Sequence, residues 1–524
     1  MAMTQTPRIV NLNVTITRAP TPSQLQQSGA LISIGGTTLA TGSYQFCSQL
    51  SDLLSILQTS GTGNFTELGN MGTTFFAQGN AVGFYVLELG YNAAIDTQIT
   101  SLHTWITQNP GIFYAYLVPT DWDYSKDEVG SGIMVLNGAG YLTVPAITFS
   151  YPSSGVTATG TAIIQAGAVV GISITNPGNG YTAPPTITIP APSQQAVATC
   201  SEIAGAVSAV SIGTPGYGYT SAPTIAFAAG GGTTATGHGV INAAGVLTSI
   251  VVDNPGSGYV SAPAITIGAP PVGISATATA NLASALNIIA GDYSAPAGMT
   301  YFFVTTTAAN APNYATLKSV FALAPALTAP SSEFSIAMAF YQWLVNNPGA
   351  SNQLAPMSYR YAYGVTNWPT NGNSATINTI LTAYANLIMT GAEGGISNAC
   401  LFKGTTMDGE QAAWWYGIDW FQIQVKQALA AAIINGSNSN PPLLYNQTGI
   451  NTLQAVAQQV ANDAVNFGCA LSAVVSAESF ASYTKENPDD YNAGIYNGLS
   501  ALVVGQNGFL TIQFNLTASQ LVTS

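Results

Sequence analysis

The sequence Pro177-Gly178-Asn179-Gly180-Tyr181-Thr182-Ala183-Pro184-Pro185 contains a turn motif that recurs in this 524-residue chain. Each copy combines two glycines, a tyrosine and, four residues after the tyrosine, a proline. The second glycine and the tyrosine of the copies are Gly140 and Tyr141, Gly180 and Tyr181, Gly218 and Tyr219, and Gly258 and Tyr259. The tyrosines are 40, 38 and 40 residues apart, and this regular spacing predicts a structural repeat.

Each copy predicts a turn followed by a short strand. Proline presets one backbone angle and glycine accepts a positive φ, so these residues are typical of turns. Runs of β-branched residues precede the turns, for example at 169–174 and 247–252. A single copy cannot bury enough apolar surface, so we expect the copies to stack as one all-β domain over residues 131–280, with each tyrosine covering a neighbouring copy.

The segments on both sides of the repeat have a different pattern. Two uninterrupted apolar stretches, 112–118 and 299–304, are typical of strands buried on both faces of a sheet. They flank the repeat in the chain and are expected to share one sheet, so the repeat domain is predicted to be an insertion. The chain is therefore expected to be a multi-domain α/β (α+β) protein whose host consists of residues 23–130, 281–332 and 333–505.

Helical periodicity indicates several helices in the host. They are predicted at 46–57, 95–107, 334–345, 377–388, 410–435 and 450–467. The longest contains Trp414, Trp415 and Trp420, which could stack on sugar rings. Aromatic residues at helical spacing more commonly fill a core, and that is the simpler interpretation.

Each end of the chain carries a stretch in which apolar and polar residues alternate. The apolar positions are Val10, Leu12, Val14 and Ile16 near the amino end, and Leu510, Ile512, Phe514 and Leu516 near the carboxyl end. This alternation predicts half-buried strands within arms at residues 1–22 and 506–524. Two interpretations are open: the strands join a sheet of their own chain, or they pair with a sheet edge in a neighbouring subunit.

Charge argues against several classes of partner. Eight Lys and Arg against 21 Asp and Glu produce a net charge of -13, and 6% of the residues are charged. The basic residues are scattered singly, whereas a phosphate backbone or an anionic membrane surface needs several cations on one face. Residues 1–8 do not resemble a secretory signal, and no apolar run reaches transmembrane length. We therefore expect no nucleic-acid partner and no membrane insertion.

The sequence contains no arrangement that predicts catalysis. The four cysteines are Cys47, Cys200, Cys400 and Cys469, and the two histidines are His103 and His238. Their wide spacing argues against a disulfide framework, a zinc site and a nucleophile activated by histidine, so the cysteines are expected to be buried free thiols. No catalytic residue, metal site or cofactor is expected.

An acidic loop at 121–128 offers clustered carboxylates, and Asp489-Asp490 is a smaller acidic pair whose simpler interpretation is a turn or a helix start. Hard cations such as calcium bind clustered oxygens, but the loop lacks the spacing and the turn glycine of an EF-hand. A solvated loop at a domain boundary is the simpler interpretation. An enzyme that cleaves cell-wall polysaccharide through Asp121 and Asp123 is an alternative.

Three stretches in the last third of the chain carry a family resemblance. They are 415–422 (WYGIDWFQ), 442–450 (PLLYNQTGI) and 488–499 (PDDYNAGIYNGL). They resemble contractile tail sheath proteins of bacteriophages, in a sheath-like family of myophages. The resemblance covers residues 333–517 and, more weakly, 7–123. The repeat domain departs from the simplest sheath and resembles modules common in phage surface proteins.

Membership of that family would imply a structural protein of the virion tail, made in the host cytoplasm, without enzymatic activity. Its copies would stack as hexameric rings around the tail tube, with tube, baseplate and tail terminator proteins as partners. Its terminal arms would complete a small β-sheet in neighbouring subunits and keep the lattice connected during contraction. The remaining alternative is a receptor-binding or adhesin protein that recognises surface glycan through the repeats.

Overall fold

The structure is a computed structural model, and it describes residues 22–123, 128–153, 155–349, 353–369, 372–390 and 398–510. The chain divides into two compact units. The first unit consists of Met1–Tyr124 and Ala285–Ser524, and the second of Ser125–Ser284. The first unit is mixed α/β, whereas the described residues of the second form strands and turns.

The chain before the second unit alternates strands and helices. Its elements are β1 (Gly29–Ser33), β2 (Tyr44–Cys47), α1 (Leu50–Ile56), α2 (Phe65–Phe76), β3 (Phe84–Glu88), α3 (Ile95–Gln108) and β4 (Ala115–Leu117). The helix predicted at 46–57 is wrong at its start, because Phe46 and Cys47 pair with β3 as part of β2. The helix begins instead after Gln49, which forms a capping box with Asp52.

The second unit contains twelve strands among its described residues. They are β5 (Glu128–Leu136), β6 (Thr148–Phe149), β7 (Thr159–Gln165), β8 (Ala168–Asn176), β9 (Ile187–Thr188), β10 (Val197–Ile203), β11 (Ala206–Thr214), β12 (Ile225–Ala228), β13 (Thr233–Ile241), β14 (Leu247–Ser257), β15 (Ala264–Ile267) and β16 (Thr277–Ala283). Three antiparallel hairpins are β7–β8, β10–β11 and β13–β14. The fourth pair joins β5 to β16, so the two ends of the unit are neighbours, with Ala283 opposite Glu128.

The short strands after the repeat tyrosines associate in pairs. β6 of the first copy pairs with β9 of the second, and β12 of the third pairs with β15 of the fourth. The four copies therefore associate as two pairs, and the first copy is completed by the last strand of the unit.

The rest of the first unit follows the second unit in the chain. Its elements are α4 (Ala285–Asp292), β17 (Tyr301–Thr305), β18 (Val320–Leu323), α5 (Ile336–Leu344), α6 (Ser374–Thr382), β19 (Leu387–Thr390), β20 (Ala399–Phe402), α7 (Ala412–Ser437), α8 (Gln447–Asn466), β21 (Ala470–Ala477), α9 (Phe480–Glu486), α10 (Pro488–Asn492) and β22 (Leu499–Gly505). The helix predicted at 377–388 is wrong at its end. Tyr384 has a φ of 65°, which ends the helix, and Leu387 begins a strand. The helices predicted at 95–107, 334–345, 410–435 and 450–467 are confirmed.

A six-stranded sheet forms the centre of the first unit, in the order β18-β17-β4-β1-β3-β2. Its strands are parallel except β2, which pairs antiparallel with β3 at one edge. β4 and β17 are neighbours, with Ala115 beside Tyr301, so the prediction that their two segments share one sheet is confirmed. Successive side chains enter two apolar clusters: Leu31 joins one, and Ala30 and Ile32 join the other. The sheet is thus buried on both faces, which explains the uninterrupted apolar runs.

Candidate assembly surface

β21 and β22 form a separate two-stranded antiparallel sheet in the first unit. Its inner face packs against α8, which begins where the Asn446 side chain accepts a hydrogen bond from the backbone N–H of Gly449. Ala473 and Val475 of the sheet share an apolar cluster with α8 residues such as Ala461. The sheet is therefore held in place through one face.

The outer face of this sheet is apolar and exposed. Val474 lies directly opposite Leu502, and Val504 lies opposite Ser472. The exposed fractions of Val474, Leu502 and Val504 are 57%, 73% and 44%. Neighbouring apolar side chains in solvent are typical of a surface that another molecule covers.

The outer edge of β22 is not covered by any of the residues that the structure describes. In an antiparallel pair, residues alternate between those that bond across the ladder and those whose backbone groups face away. Glu478 donates to the Gly498 carbonyl at 2.9 Å, which sets this alternation for the strands that follow. The backbone N–H and C=O groups of Leu499, Ala501 and Val503 face away from β21 and bond to none of the residues that the structure describes. An extended segment could add to the sheet there.

The outer edge of β21 differs, because α8 covers it. The Gln458 side chain accepts a hydrogen bond from the Val475 N–H at 2.8 Å and donates to the Ala473 carbonyl at 3.3 Å. The Gln454 side chain donates to the Val475 carbonyl at 3.1 Å. Three hydrogen-bonding groups at the β21 edge are thus bonded to α8, whereas those at the β22 edge bond to none of the described residues.

The described part of the carboxyl-terminal arm runs along the first unit. The Gln411 side chain donates to the Gly508 carbonyl at 2.9 Å and accepts from the Gly508 N–H at 2.7 Å. The Tyr359 hydroxyl donates to the Leu510 carbonyl. Leu510 lies in a bend, and the other predicted arm positions lie outside the described residues: Val10, Leu12, Val14, Ile16, Ile512, Phe514 and Leu516.

A buried ion pair joins α7 to the central sheet. Asp419 is fully buried, and its Oδ2 accepts hydrogen bonds from the hydroxyls of Tyr114 at 2.8 Å and Tyr301 at 2.7 Å. Asp419 Oδ1 lies 3.7 Å from Lys318 Nζ and accepts no hydrogen bond from the described residues. Burial raises the pKa of Asp419 to about 6, although Lys318 opposes this rise.

Lys318 is 3% exposed and has further partners. Its Nζ donates to the carbonyls of Pro296 at 2.8 Å and Gly298 at 2.6 Å, and lies 4.2 Å from the centre of the Trp415 ring. Burial lowers the pKa of Lys318, and the Asp419 charge opposes that change. Because the pair is sealed from solvent, it stabilises the position of α7 rather than meeting a substrate. Sequence reasoning missed it, although a carboxylate between Ile418 and Trp420 in an apolar helix was a usable signal.

The loops at the carboxyl ends of β1 and β3 bind a carboxylate of the protein itself. Parallel α/β sheets commonly bind ligands at this position, often as anions on backbone N–H groups. Here the Glu88 carboxylate accepts from the N–H groups of Gly35 at 2.7 Å, Thr37 at 3.1 Å and Gly90 at 2.7 Å. The hydroxyls of Ser33 and Thr37 also donate to it, at 2.5 and 2.7 Å. A phosphate would have to displace this carboxylate, which argues against nucleotide binding.

The repeat tyrosines are buried, with exposed fractions between 2% and 5%. Each hydroxyl accepts a hydrogen bond from the backbone N–H of an alanine. The pairs are Ala276 to Tyr141, Ala158 to Tyr181, Ala196 to Tyr219 and Ala235 to Tyr259, at 2.9, 2.8, 2.9 and 3.4 Å. The rings are not available to stack on a sugar, so these tyrosines do not support a glycan site.

The repeat glycines bring two backbone segments together. Gly140, Gly180, Gly218 and Gly258 have φ values between 77° and 95°. The preceding glycine of each copy also has a positive φ, and a Cβ there would meet backbone atoms near the alanine that bonds the tyrosine. At Gly178 the closest such atom is the Val156 carbonyl oxygen, 2.4 Å away. The motif therefore serves packing within the second unit.

Trp122 and Asp123 of the acidic segment are held against the rest of the first unit rather than solvated. Trp122 is fully buried, and Asp123 accepts hydrogen bonds from Tyr314 at 2.8 Å and Asn310 at 3.2 Å. Burial raises the pKa of both Asp121 and Asp123. Residues 124–127 lie outside the described residues. In the part of the chain that the structure describes, no cluster of His, Cys, Asp and Glu is arranged to hold a metal ion.

The cysteines and tryptophans mostly follow the sequence expectations. All four cysteines are free, and three of them are buried. Cys200 is half-buried, so the expectation that all four are buried is wrong at this position. Trp420 is buried and Trp414 and Trp415 are half-buried, with the latter covering Lys318. None of the described helices has both the length and the apolar character that crossing a membrane requires.

Comparison with solved structures finds distant neighbours, among them two sheath tail proteins. No protein-family model matches the chain, and no curated protein matches it. A sheath tail protein from Listeria innocua is 9% identical with a TM-score of 0.32, over 86% of this chain and 88% of that chain. A sheath tail protein from Desulfitobacterium hafniense is 9% identical with a TM-score of 0.32, over 89% of this chain and 93% of that chain. A TM-score of 0.32 does not establish a common fold.

Proposed function

We propose that this chain is a structural subunit of a contractile phage tail sheath. The observation that carries the proposal is the open outer edge of β22, where Leu499, Ala501 and Val503 direct unpaired backbone groups outward, as judged over the described residues. Main-chain pairing at such an edge joins molecules without needing charged side chains. A protein with 6% charged residues has few ion pairs available for assembly.

The terminal stretches have the properties that the edge requires. β22 is seven residues long, and the alternating stretch 10–16 has the same length. The stretch 511–516, which follows the bend at Leu510, is one residue shorter. In one pairing register their apolar side chains would extend the inner face of the sheet, and in a register shifted by one residue they would cover the exposed face beside Leu502. In this proposal both arms leave their own subunit and pair with sheets of neighbouring copies.

Pairing of the arms with neighbouring sheets would connect the copies into a lattice. Copies stack as hexameric rings around the tail tube, and contraction is a change between two packings in which the paired strands stay connected. The subunit would contact the tube, baseplate and tail terminator proteins, would be located in the tail of the virion, and would catalyse no reaction. The second unit, residues 125–284, would be an insertion that decorates the sheath.

Replacing Ala501 by proline tests the proposal. Proline lacks an N–H and is tolerated in a strand where that group faces outward, so Ala501→Pro blocks strand addition while keeping the β21–β22 ladder. We expect wild-type protein and the matched control Ala501→Ser to form rings or tubes in negative-stain micrographs. Ala501→Pro is expected to stay a monomer with an unchanged unfolding temperature.

Two results would contradict the proposal. One is assembly of Ala501→Pro to the same extent as Ala501→Ser. The other is wild-type protein that stays a monodisperse monomer at high concentration in sedimentation velocity.

A further inference from the structure

The sheet formed by β21 and β22 is asymmetric in its free hydrogen-bonding groups. Ala473 and Val475 on β21 occupy positions equivalent to Val503 and Ala501 on β22, because these residues are paired across the ladder. On β22 the outward groups bond to none of the described residues, whereas on β21 three of them bond to α8. Among the described residues, the β22 edge is therefore unoccupied and the β21 edge is occupied by side chains of α8.

The side-chain amides of Gln454 and Gln458 bond to β21 as the backbone of a neighbouring strand would. A glutamine side chain ends in a primary amide, which carries the same carbonyl acceptor and N–H donor as the backbone. Gln458 bonds to the Val475 N–H and to the Ala473 carbonyl at the same time, as a residue of a neighbouring strand would. Gln454 lies one helical turn earlier and bonds to the Val475 carbonyl.

α8 holds these amides in position. Ala457 and Ala461, which alternate with the glutamines along the helix, are buried in the cluster under the sheet. The glutamines are half-buried, and Gln458 also donates to Asn462 of its own helix at 3.0 Å. Gln459 lies on another face of the helix, is exposed and bonds to Asp463 but not to β21. The helix thus presents two amides to the β21 edge as part of a packed interface, and displacing them would require their bonds to β21 to break.

We propose that Gln454 and Gln458 restrict strand addition to the β22 edge. The added strand is an extended segment of a second copy of this chain, and the inference rests on the proposed function. The two glutamines act as specificity-determining residues: they remove the β21 edge as a competing site, so the sheet extends in one direction. Each subunit then accepts its neighbours on one side, and the growing lattice keeps a single polarity.

Amide hydrogen exchange on the full-length protein tests this. Exchange in 499–505 and 470–477 is compared between dilute wild-type monomer and assembled protein. We expect assembly to slow exchange in 499–505 by at least about tenfold and to leave 470–477 unchanged. Equal slowing in both segments overturns the inference and leaves the proposed function standing, whereas failure of the wild type to assemble refutes the proposed function itself.

Variants of α8 separate edge closure from helix stability. Gln458→Leu, alone and with Gln454→Leu, removes the amides and frees the β21 edge. We expect faster exchange of 470–477 in the monomer, slowing of that segment on assembly, and irregular particles in micrographs. Gln459→Leu makes the same substitution on the same helix away from β21, and should assemble as wild type. Regular particles protected at 499–505 alone, formed by the double variant, would overturn the inference.

Discussion

Replacing Lys318 by methionine should destabilise the first unit in a pH-dependent way. Methionine has a similar length and fills the space, but it leaves the fully buried Asp419 without a cation. Removing one partner of a buried pair costs about 3–5 kcal/mol. Because Tyr114 and Tyr301 still donate to Asp419 Oδ2, we expect the lower end, about 3 kcal/mol, at pH 8.5.

The pH dependence follows from the raised pKa of Asp419. Its folded pKa in the wild type is about 6, against an ordinary value of 3.8 for an aspartate side chain. A carboxyl group whose folded pKa is raised binds its proton more tightly in the folded state, so stability increases as pH falls from about 6 towards the unfolded value. Without Lys318 the pKa of Asp419 rises further. At pH 5 both proteins carry a neutral Asp419, and the loss should shrink to under about 1 kcal/mol.

Tryptophan fluorescence reports this change selectively. All seven tryptophans lie in the first unit, so urea unfolding followed by their emission measures that unit alone. Lys485→Met, at an exposed position, is the matched control and should change the free energy of unfolding by less than about 0.5 kcal/mol. Adding Asp419→Asn to Lys318→Met should recover most of the loss at pH 8.5. A loss of equal size at pH 5 and pH 8.5, or no loss at either, would refute the reasoning.

Three further outcomes are expected. Tyr219→Phe leaves the buried Ala196 N–H without its acceptor and should cost the second unit about 1–2 kcal/mol, measured by circular dichroism during urea unfolding; an unchanged midpoint would contradict the packing role. Gly178→Ala places a Cβ against a backbone carbonyl at a φ of 64° and should cost at least about 2 kcal/mol in the same assay, whereas a neutral effect would show that the turn can rearrange. Deleting 1–17 or 507–524 should produce folded monomers in sedimentation velocity. Assembly of both truncated chains would contradict the proposed role of the arms in joining subunits.

The central sheet could be predicted from the sequence because strands buried on both faces have uninterrupted runs of apolar residues. β4 and β17 are buried at consecutive positions, and strands covered on both faces require apolar residues there. Helix ends were less predictable. Phe46 and Tyr384 fall in periodic apolar segments, but sheet pairing in one case and a positive φ in the other ended the helix.

The contacts that define the candidate sites join residues that are far apart in the sequence, which makes them hard to predict. Lys318 and Asp419 are separated by many residues, and spacing carries no information about their contact. The closure of the second unit joins Ala276 to Tyr141 across 135 residues, although the alanines themselves recur with the motif and were a usable signal. Gln458 resembles any polar residue on a helix surface, and its role depends on a strand that folds back beside it.

A cryo-electron microscopy map of the assembled particle tests the account most directly. The backbone beside β22 is the region to inspect. We predict an extended segment of a second copy, about 4.8 Å from β22 and hydrogen-bonded to Leu499, Ala501 and Val503. A bare β22 edge, or one covered by the arm of its own chain, would contradict the account.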